Sequence, residues 1–208
     1  MESAPTDADD AALLDAWRAG DRAAGEQLFE RHFDAIYRFF ERKGLGDVGD
    51  LVQRTFLGCV EARDRYRGAS SFRTFLFAIA RHELYGLFRQ RRAQVDFGVS
   101  SLADLAPGPS TLLRERSQRE ILLAALRAIP LELQLAVELR FWEGLTGPDL
   151  AIALAVPEGT VRSRLRRALE ALRGALDEHE LGKTLRTLPA SDDAFDAWAE
   201  QLRVALDA

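Results

Sequence analysis

Residues 143–170, EGLTGPDLAIALAVPEGTVRSRLRRALE, decide how this chain is read. The spacing predicts a helix, a tight turn and a second helix. Thr146, three residues ahead of Asp149, forms a capping-box variant with a shorter acid, and Pro148 suits a first helical turn. Ala151 and Ala155 are small where two helices must approach closely. Leu150, Leu154, Val156, Val161 and Leu165 can share one small core. Pro157 starts the second helix, whose outer face carries Arg162, Arg166 and Arg167. A short helix with a basic face, braced by another, fits the major groove of duplex DNA. The competing reading is a helical hairpin buried in a domain core. The basic outer face and the paired small residues favour DNA.

The rest of the chain is helical in pattern. Apolar and polar residues rarely alternate as in a half-buried strand; spacings of three and four dominate. Residues 8–19 and 21–43 read as two helices separated at Gly20 and Asp21, with Phe29, Phe33, Ile36 and Phe40 on one apolar face. Gly44 and Gly46 break the pattern, which resumes over 50–62 with Leu51, Val52, Phe56 and Val60 inward. A helix over 71–92 follows an arginine-rich loop. Residues 93–111 change character: Pro107, Gly108, Pro109 and Ser110 disfavour a helix, so a flexible linker is expected at 96–111. Further helices are predicted over 112–128 and 131–142, Pro130 supplying a first-turn position. The expected fold is all-α: a helical bundle over 8–95, a linker over 96–111, a helix-turn-helix domain over 112–175 and a C-terminal extension over 176–208.

Composition narrows the function. Apolar residues make up 47% of the 208, enough for a folded core. No apolar run is long enough to span a bilayer, and the acidic start MESAPTDADDAALLDAW lacks the pattern of a secretory signal; a cytoplasmic protein is expected. Cys59 is the single cysteine, read as a small buried residue. His32, His82 and His179 show no metal spacing, so neither a disulfide, a metal nor a cofactor is expected. The net charge of −5 resides in the last 35 residues, where three basic residues face eight acidic ones; the remainder is balanced, with 25 of each sign. Basic stripes on a neutral body suit nucleic-acid binding. No phosphate loop and no nucleophile-base-acid set is present, so an enzyme is not expected, and Glu143 and Asp149 are accounted for by helix ends.

Two basic segments ask for different chemistry. At the second helix of the helix-turn-helix, Pro157, Glu158, Thr160 and Arg162, with Ser163 and Arg166 a turn later, would face base edges. Arginine can donate two hydrogen bonds to guanine, and glutamate can accept one from cytosine. Arg167 and Arg173 suit phosphates. Between residues 63 and 92, cations alternate with rings: Arg65, Tyr66, Arg67, Arg73, His82, Tyr85, Arg89 and Arg92 are the candidates for contact with an unpaired strand. Phe72, Phe75 and Phe88 are read as core. Stacking contributes on the order of 1–3 kcal/mol per base, comparable to the few kcal/mol that unstacking costs. Captured bases can therefore hold a duplex open without ATP.

Together the two halves resemble a bacterial sigma factor of the extracytoplasmic-function type, over roughly residues 10–173. The carrying motifs are 141–173, FWEGLTGPDLAIALAVPEGTVRSRLRRALEALR; Asp50-Leu-Val-Gln53-Arg-Thr-Phe56; Ser71-Phe72-Arg73-Thr74-Phe75-Leu76; and Ile79-Ala80-Arg81. Phe75 stands where that family usually has tryptophan, His82 replaces a common asparagine, Gly86 a common aspartate, and Gln134 a usual arginine. The resemblance implies a region-2-like domain that captures the minus-ten element with the loop near 65–71 and the helix behind it. It implies a region-4-like domain that reads the minus-thirty-five element. It also implies docking on core RNA polymerase, at the β′ clamp helices through Asp50 and Gln53 with Arg54 beside them, and at the β flap. Many members of that family are held inactive by an anti-sigma protein; for this chain, that partner and the C-terminal extension are both open as the controlling element. In the extension, Phe195, Trp198, Leu202 and Leu206 form an apolar stripe among Asp192, Asp193, Asp196 and Glu200. The alternative function is a helix-turn-helix regulator that does not act as a polymerase subunit.

Overall fold

The computed structural model describes residues 7–94 and 118–176. Eight helices account for the secondary structure of these residues, with no strand among them: α1 (Asp7–Arg18), α2 (Arg22–Glu41), α3 (Gly49–Ala62), α4 (Phe72–Gln94), α5 (Gln118–Ala128), α6 (Leu131–Phe141), α7 (Gly147–Leu154) and α8 (Glu158–Leu176). The all-α expectation holds. The expected linker at 96–111 and the extension beyond Leu176 lie outside the described residues. The described helices fall into two compact units, one gathering α1 to α4 with Pro148–Val156, the other α5, α6 and α8.

In the first unit, α1 and α2 are joined by Gly20 and Asp21. Gly20 takes φ +105°, where a side chain would be strained. The Asp21 carboxylate then accepts from the amides of Ala23 and Ala24 at 3.0 and 3.3 Å, closing the open end of α2. The buried face of α2 runs through Leu28, His32, Ile36, Phe39 and Phe40. Phe33, expected on that face, is 46% exposed. The stripe is turned toward His32 because His32 has a buried partner: its Nε2 lies 2.7 Å from Asp10 Oδ2 on α1. Arg31 Nη1 donates to the other oxygen of Asp10 at 2.8 Å. Lower down, the Trp17 ring of α1 lies in a notch at Gly25, where a Cβ would come within 2.6 Å of Trp17 Nε1. Thus α1 is fixed to α2 at both ends, by a charged pair and by a missing side chain.

Helices α3 and α4 complete this unit, burying Leu51, Val52, Phe56 and Cys59 against Phe72, Leu76, Phe77 and Leu84. Val60, expected inward, is 40% exposed. Ser71 opens α4, its hydroxyl accepting from the Thr74 amide at 3.1 Å.

The second unit packs Leu122, Leu126 and Ile129 of α5 and its end, Leu133 and Val137 of α6, and Ala168, Leu169, Leu172 and Leu176 of α8 into one core. Pro130 stands at the N-cap of α6, at φ −51° and ψ 137°, rather than in its first turn. Gln134 and Glu138 are fully buried, the Gln134 amide donating to Glu138 Oε1 at 2.7 Å. Burial lowers the pKa of the Arg127 guanidinium, and the charge of Glu138 counters that fall.

Candidate nucleic-acid interface

The helix-turn-helix opens at α7, which buries Leu150, Ala153 and Leu154. Its turn is made by Ala155, at φ +50°, with the Ala155 amide donating to the Ile152 carbonyl at 3.1 Å and the Val156 amide to the Ala151 carbonyl at 3.0 Å. A left-handed alanine costs roughly 1–2 kcal/mol relative to the right-handed conformation. Ala155 is exposed rather than packed between two helices, and its left-handed backbone, which its Cβ disfavours, is a demand that the sequence pattern did not suggest.

At the start of α8, the Thr160 amide donates to the Pro157 carbonyl at 2.8 Å, and the Ser163 hydroxyl to the Thr160 carbonyl at 2.9 Å. Along the helix, Val161, Ala168, Leu169 and Leu172 are buried, at intervals that keep one face inward. Pro157, Glu158, Arg162, Ser163, Arg166 and Arg167 are exposed and Thr160 is half-buried. Arg164 is turned the other way, toward Glu132 of α6 at 3.7 Å. Arg173 is half-buried. The exposed set combines bidentate donors with one acceptor, the residue types that read base edges.

The second surface is the loop 63–71 and α4. Arg65 and Arg67 are exposed, on either side of a half-buried Tyr66. The Tyr66 ring stacks on Phe75, centroids 4.5 Å apart at 25°, and its hydroxyl donates to the Ser70 carbonyl. Phe75 is thus half-buried beneath Tyr66, Phe72 is core, and Phe88 is half-buried. On α4, His82 and Arg89 are exposed with a half-buried Tyr85 between them, at helical spacing on one stripe. Arg81 lies 5.7 Å from the Tyr85 ring centroid, and Arg73 5.3 Å from that of Phe77. Arg92 belongs to α4, but its side chain lies outside what is described.

The third surface is the outer side of α3. Asp50, Gln53 and Arg54 are all exposed, and Arg54 Nη2 pairs with Asp50 Oδ2 at 2.8 Å across one turn. An apolar patch lies on α3 and α2 that sequence reading missed: Leu57 is 53% exposed, Phe33 46%, Tyr37 40% and Val60 40%. Phe33 stacks on both Tyr37 and Phe56. The signal available in the sequence was the pairing of Phe33 with Tyr37 one turn on. The competing interval of Phe29, Ile36 and Phe40 concealed it. Cys59, on the opposite side of α3, is fully buried, and burial pushes its thiol up to about 12. No cluster of potential metal ligands exists among the described residues, and none of their helices is long and apolar enough to cross a membrane.

The family described as Sigma-70 region 2 matches residues 28–94, and Sigma-70, region 4 matches residues 119–172. The ECF RNA polymerase sigma-E factor of Salmonella typhimurium is 31% identical over 175 residues, covering 78% of this chain and 92% of that protein. Among solved structures, CnrH in complex with the cytosolic domain of CnrY superimposes with a TM-score of 0.62 at 25% identity, over 83% of this chain and 99% of that one. The sigma factor RpoE of Bartonella quintana, solved with the anti-sigma factor NepR, shares the fold with a TM-score of 0.58 at 24% identity, over 73% of this chain and 96% of that one.

Proposed function

The chain belongs to the extracytoplasmic-function family of RNA polymerase sigma factors, and we propose that it brings core polymerase to a subset of promoters by dividing the work among the three surfaces above. The observation that carries this reading is α8: five exposed residues, Glu158, Arg162, Ser163, Arg166 and Arg167, stand on a helix whose other face is locked into a core. Such a helix can enter a groove as a rigid body, so its side chains meet base edges in a fixed register. Arg162 and Arg166 read bases of the minus-thirty-five element, with Pro157, Glu158, Thr160 and Ser163 around them, and Arg167 binds phosphate.

The loop and α4 act on the other promoter element. Arg65, Arg67, Arg73, Arg89 and Arg92 follow the backbone of the displaced strand, while His82 and Tyr85 offer rings or polar tips to its bases, and Tyr66, its ring between Phe75 and Arg18, supports the loop that carries Arg65 and Arg67. Opening is driven by capture and needs no hydrolysis. On α3, Asp50, Gln53 and Arg54 dock on the β′ clamp helices of polymerase, with the apolar patch of Phe33, Tyr37 and Leu57 beside them to be covered; the second unit meets the β flap. The protein contributes recognition to an enzyme whose catalysis resides elsewhere, and it works in the cytoplasm with that enzyme.

Run-off transcription tests this directly. Core polymerase with the chain is expected to start from a defined promoter set in a genomic template pool. Arg162→Ala and Arg166→Ala together should abolish selection while leaving polymerase association intact, since each good base contact is worth about 1–3 kcal/mol. Duplex binding without polymerase association would refute the reading. The same assay with residues 177–208 deleted, and with a candidate anti-sigma protein added, assigns the control element.

A further inference from the structure

The loop 63–71 leaves the C-terminal end of α3, where helix carbonyls lack partners in their own helix and carry partial negative charge. Two amides of the loop fold back onto it: those of Arg65 and Tyr66 both donate to the Ala62 carbonyl, at 3.0 and 3.1 Å. The next carbonyls are served from another helix. Arg18, in the last turn of α1, donates to the Arg63 carbonyl from Nε at 3.2 Å and from Nη2 at 3.0 Å, and Nη2 also donates to the Tyr66 carbonyl. The same guanidinium lies 5.7 Å from the Tyr66 ring centroid, the ring that stacks on Phe75. Beside it, Arg63 lies 4.9 Å from the centroid of the Trp17 ring.

Arg18 therefore does to α3 what a capping residue does locally, but across 45 and 48 positions of sequence. Its mount is rigid. The Asp10–His32 pair and the Gly25 notch fix α1 on α2, and Trp17 precedes it on the same turn. The side chains between and beside the two anchored carbonyls are Asp64, Arg65 and Arg67, all exposed. Residue 18 also lies upstream of the matched region 28–94.

We infer that Arg18 is a positioning residue for strand capture: it fixes the backbone of residues 63–66, so that Arg65 and Arg67 face the displaced strand without first having to be ordered. This rests on the reading of the loop as part of the minus-ten surface. Its physical content is preorganisation: a loop held in its binding conformation does not give up ordering entropy when DNA arrives. Arg18 touches no DNA in this account. A planar fork that serves two carbonyls is needed; a single ammonium keeps the charge and loses the chelation.

The test uses the full chain as holoenzyme with core polymerase, the variants Arg18→Ala and Arg18→Lys, and two probes drawn from the run-off mapping: one promoter with its minus-ten stretch mismatched open, and the same promoter fully paired. Trypsin cleavage after Arg65 and Arg67 in the free protein reports the loop directly. Both variants are expected to speed that cleavage and to weaken binding to the open probe by about tenfold or more, with polymerase affinity unchanged. In a background already carrying Arg65→Ala and Arg67→Ala, Arg18→Ala should add little. Full rescue by lysine, or a loss that adds undiminished in that background, would overturn the proposal, because Arg18 would then act as a free charge or as a general stabiliser. Unchanged cleavage in both variants would overturn it as well. Faster cleavage with undiminished capture would instead refute the capture role of the loop, and positioning with it, while leaving the anchor itself in place.

Discussion

Replacing Gly25 by alanine puts a number on the attachment of α1. The added Cβ would stand 2.6, 2.7 and 2.8 Å from Nε1, Cδ1 and Cε2 of Trp17, against about 3.5–4.0 Å for a comfortable carbon contact. The ring must withdraw by roughly 1 Å. It has little room, since Phe29 meets it edge-on at 5.3 Å and Arg63 covers it at 4.9 Å. Overpacking of this kind costs about 1–3 kcal/mol. The opposing gain, alanine over glycine inside a helix, is about 1 kcal/mol. The expected net is a loss of up to about 2 kcal/mol in the first unit. Hydrogen exchange of α1 and α2 amides measures it without assuming that a chain of two units unfolds in one step. Trimming the ring with Trp17→Phe should recover part of the loss in the Gly25→Ala background, a coupling that independent sites would not show. Equal or increased protection in Gly25→Ala would mean that the notch is not tight, and the account of how α1 is seated would be wrong.

The Asp10 pair gives a pH test. Burial alone would raise the carboxyl pKa, but the His32 hydrogen bond and charge, then Arg31, outweigh it and leave the pKa lowered. A depressed folded-state pKa means stability that is complete above the unfolded value and disappears as pH falls through the folded one. Asp10→Ala should therefore cost roughly 3 kcal/mol at neutral pH, and urea titrations should show the gap from the parent narrowing in strong acid; a gap independent of pH would contradict the pairing. Ala155→Gly relieves the left-handed alanine at +50° and should stabilise the turn by about 0.5–1 kcal/mol, read as a higher unfolding midpoint. Cys59, fully buried with its thiol near 12, should resist a thiol reagent at neutral and mildly alkaline pH and react at the rate of unfolding; rapid native-state labelling would contradict its burial.

Much of this architecture is legible in the sequence because helical spacing and its punctuation agree. Gly20 and Asp21 mark the first break, Gly44 and Gly46 the second, and the apolar intervals of α3 and α8 point inward at most positions. The failures share a cause: partners distant in sequence. His32 sits in the buried stripe of α2 at the interval set by Leu28 and Ile36, but a histidine counts as polar until Asp10 is seen beside it. The apolar face then rotates, and Phe33 goes to the surface. Tyr66 has a polar tip and charged neighbours, as a surface residue should, yet Phe75 and Arg18 occupy its ring. Nothing local signals that Arg18 serves carbonyls at 63 and 66. Ala155 reads as small for packing, and its backbone angle is visible only in the fold.

The face of α8 that holds the second unit together and the face that points outward share no residue. Val161, Ala168, Leu169 and Leu172 can stay fixed while positions 158, 162, 163, 166 and 167 are exchanged, and exchanges at such exposed sites typically move stability by no more than about 0.5 kcal/mol. If α8 reads the promoter as proposed, the address is editable separately from its scaffold: a library randomised at five positions would search new promoters while nearly every member still folds.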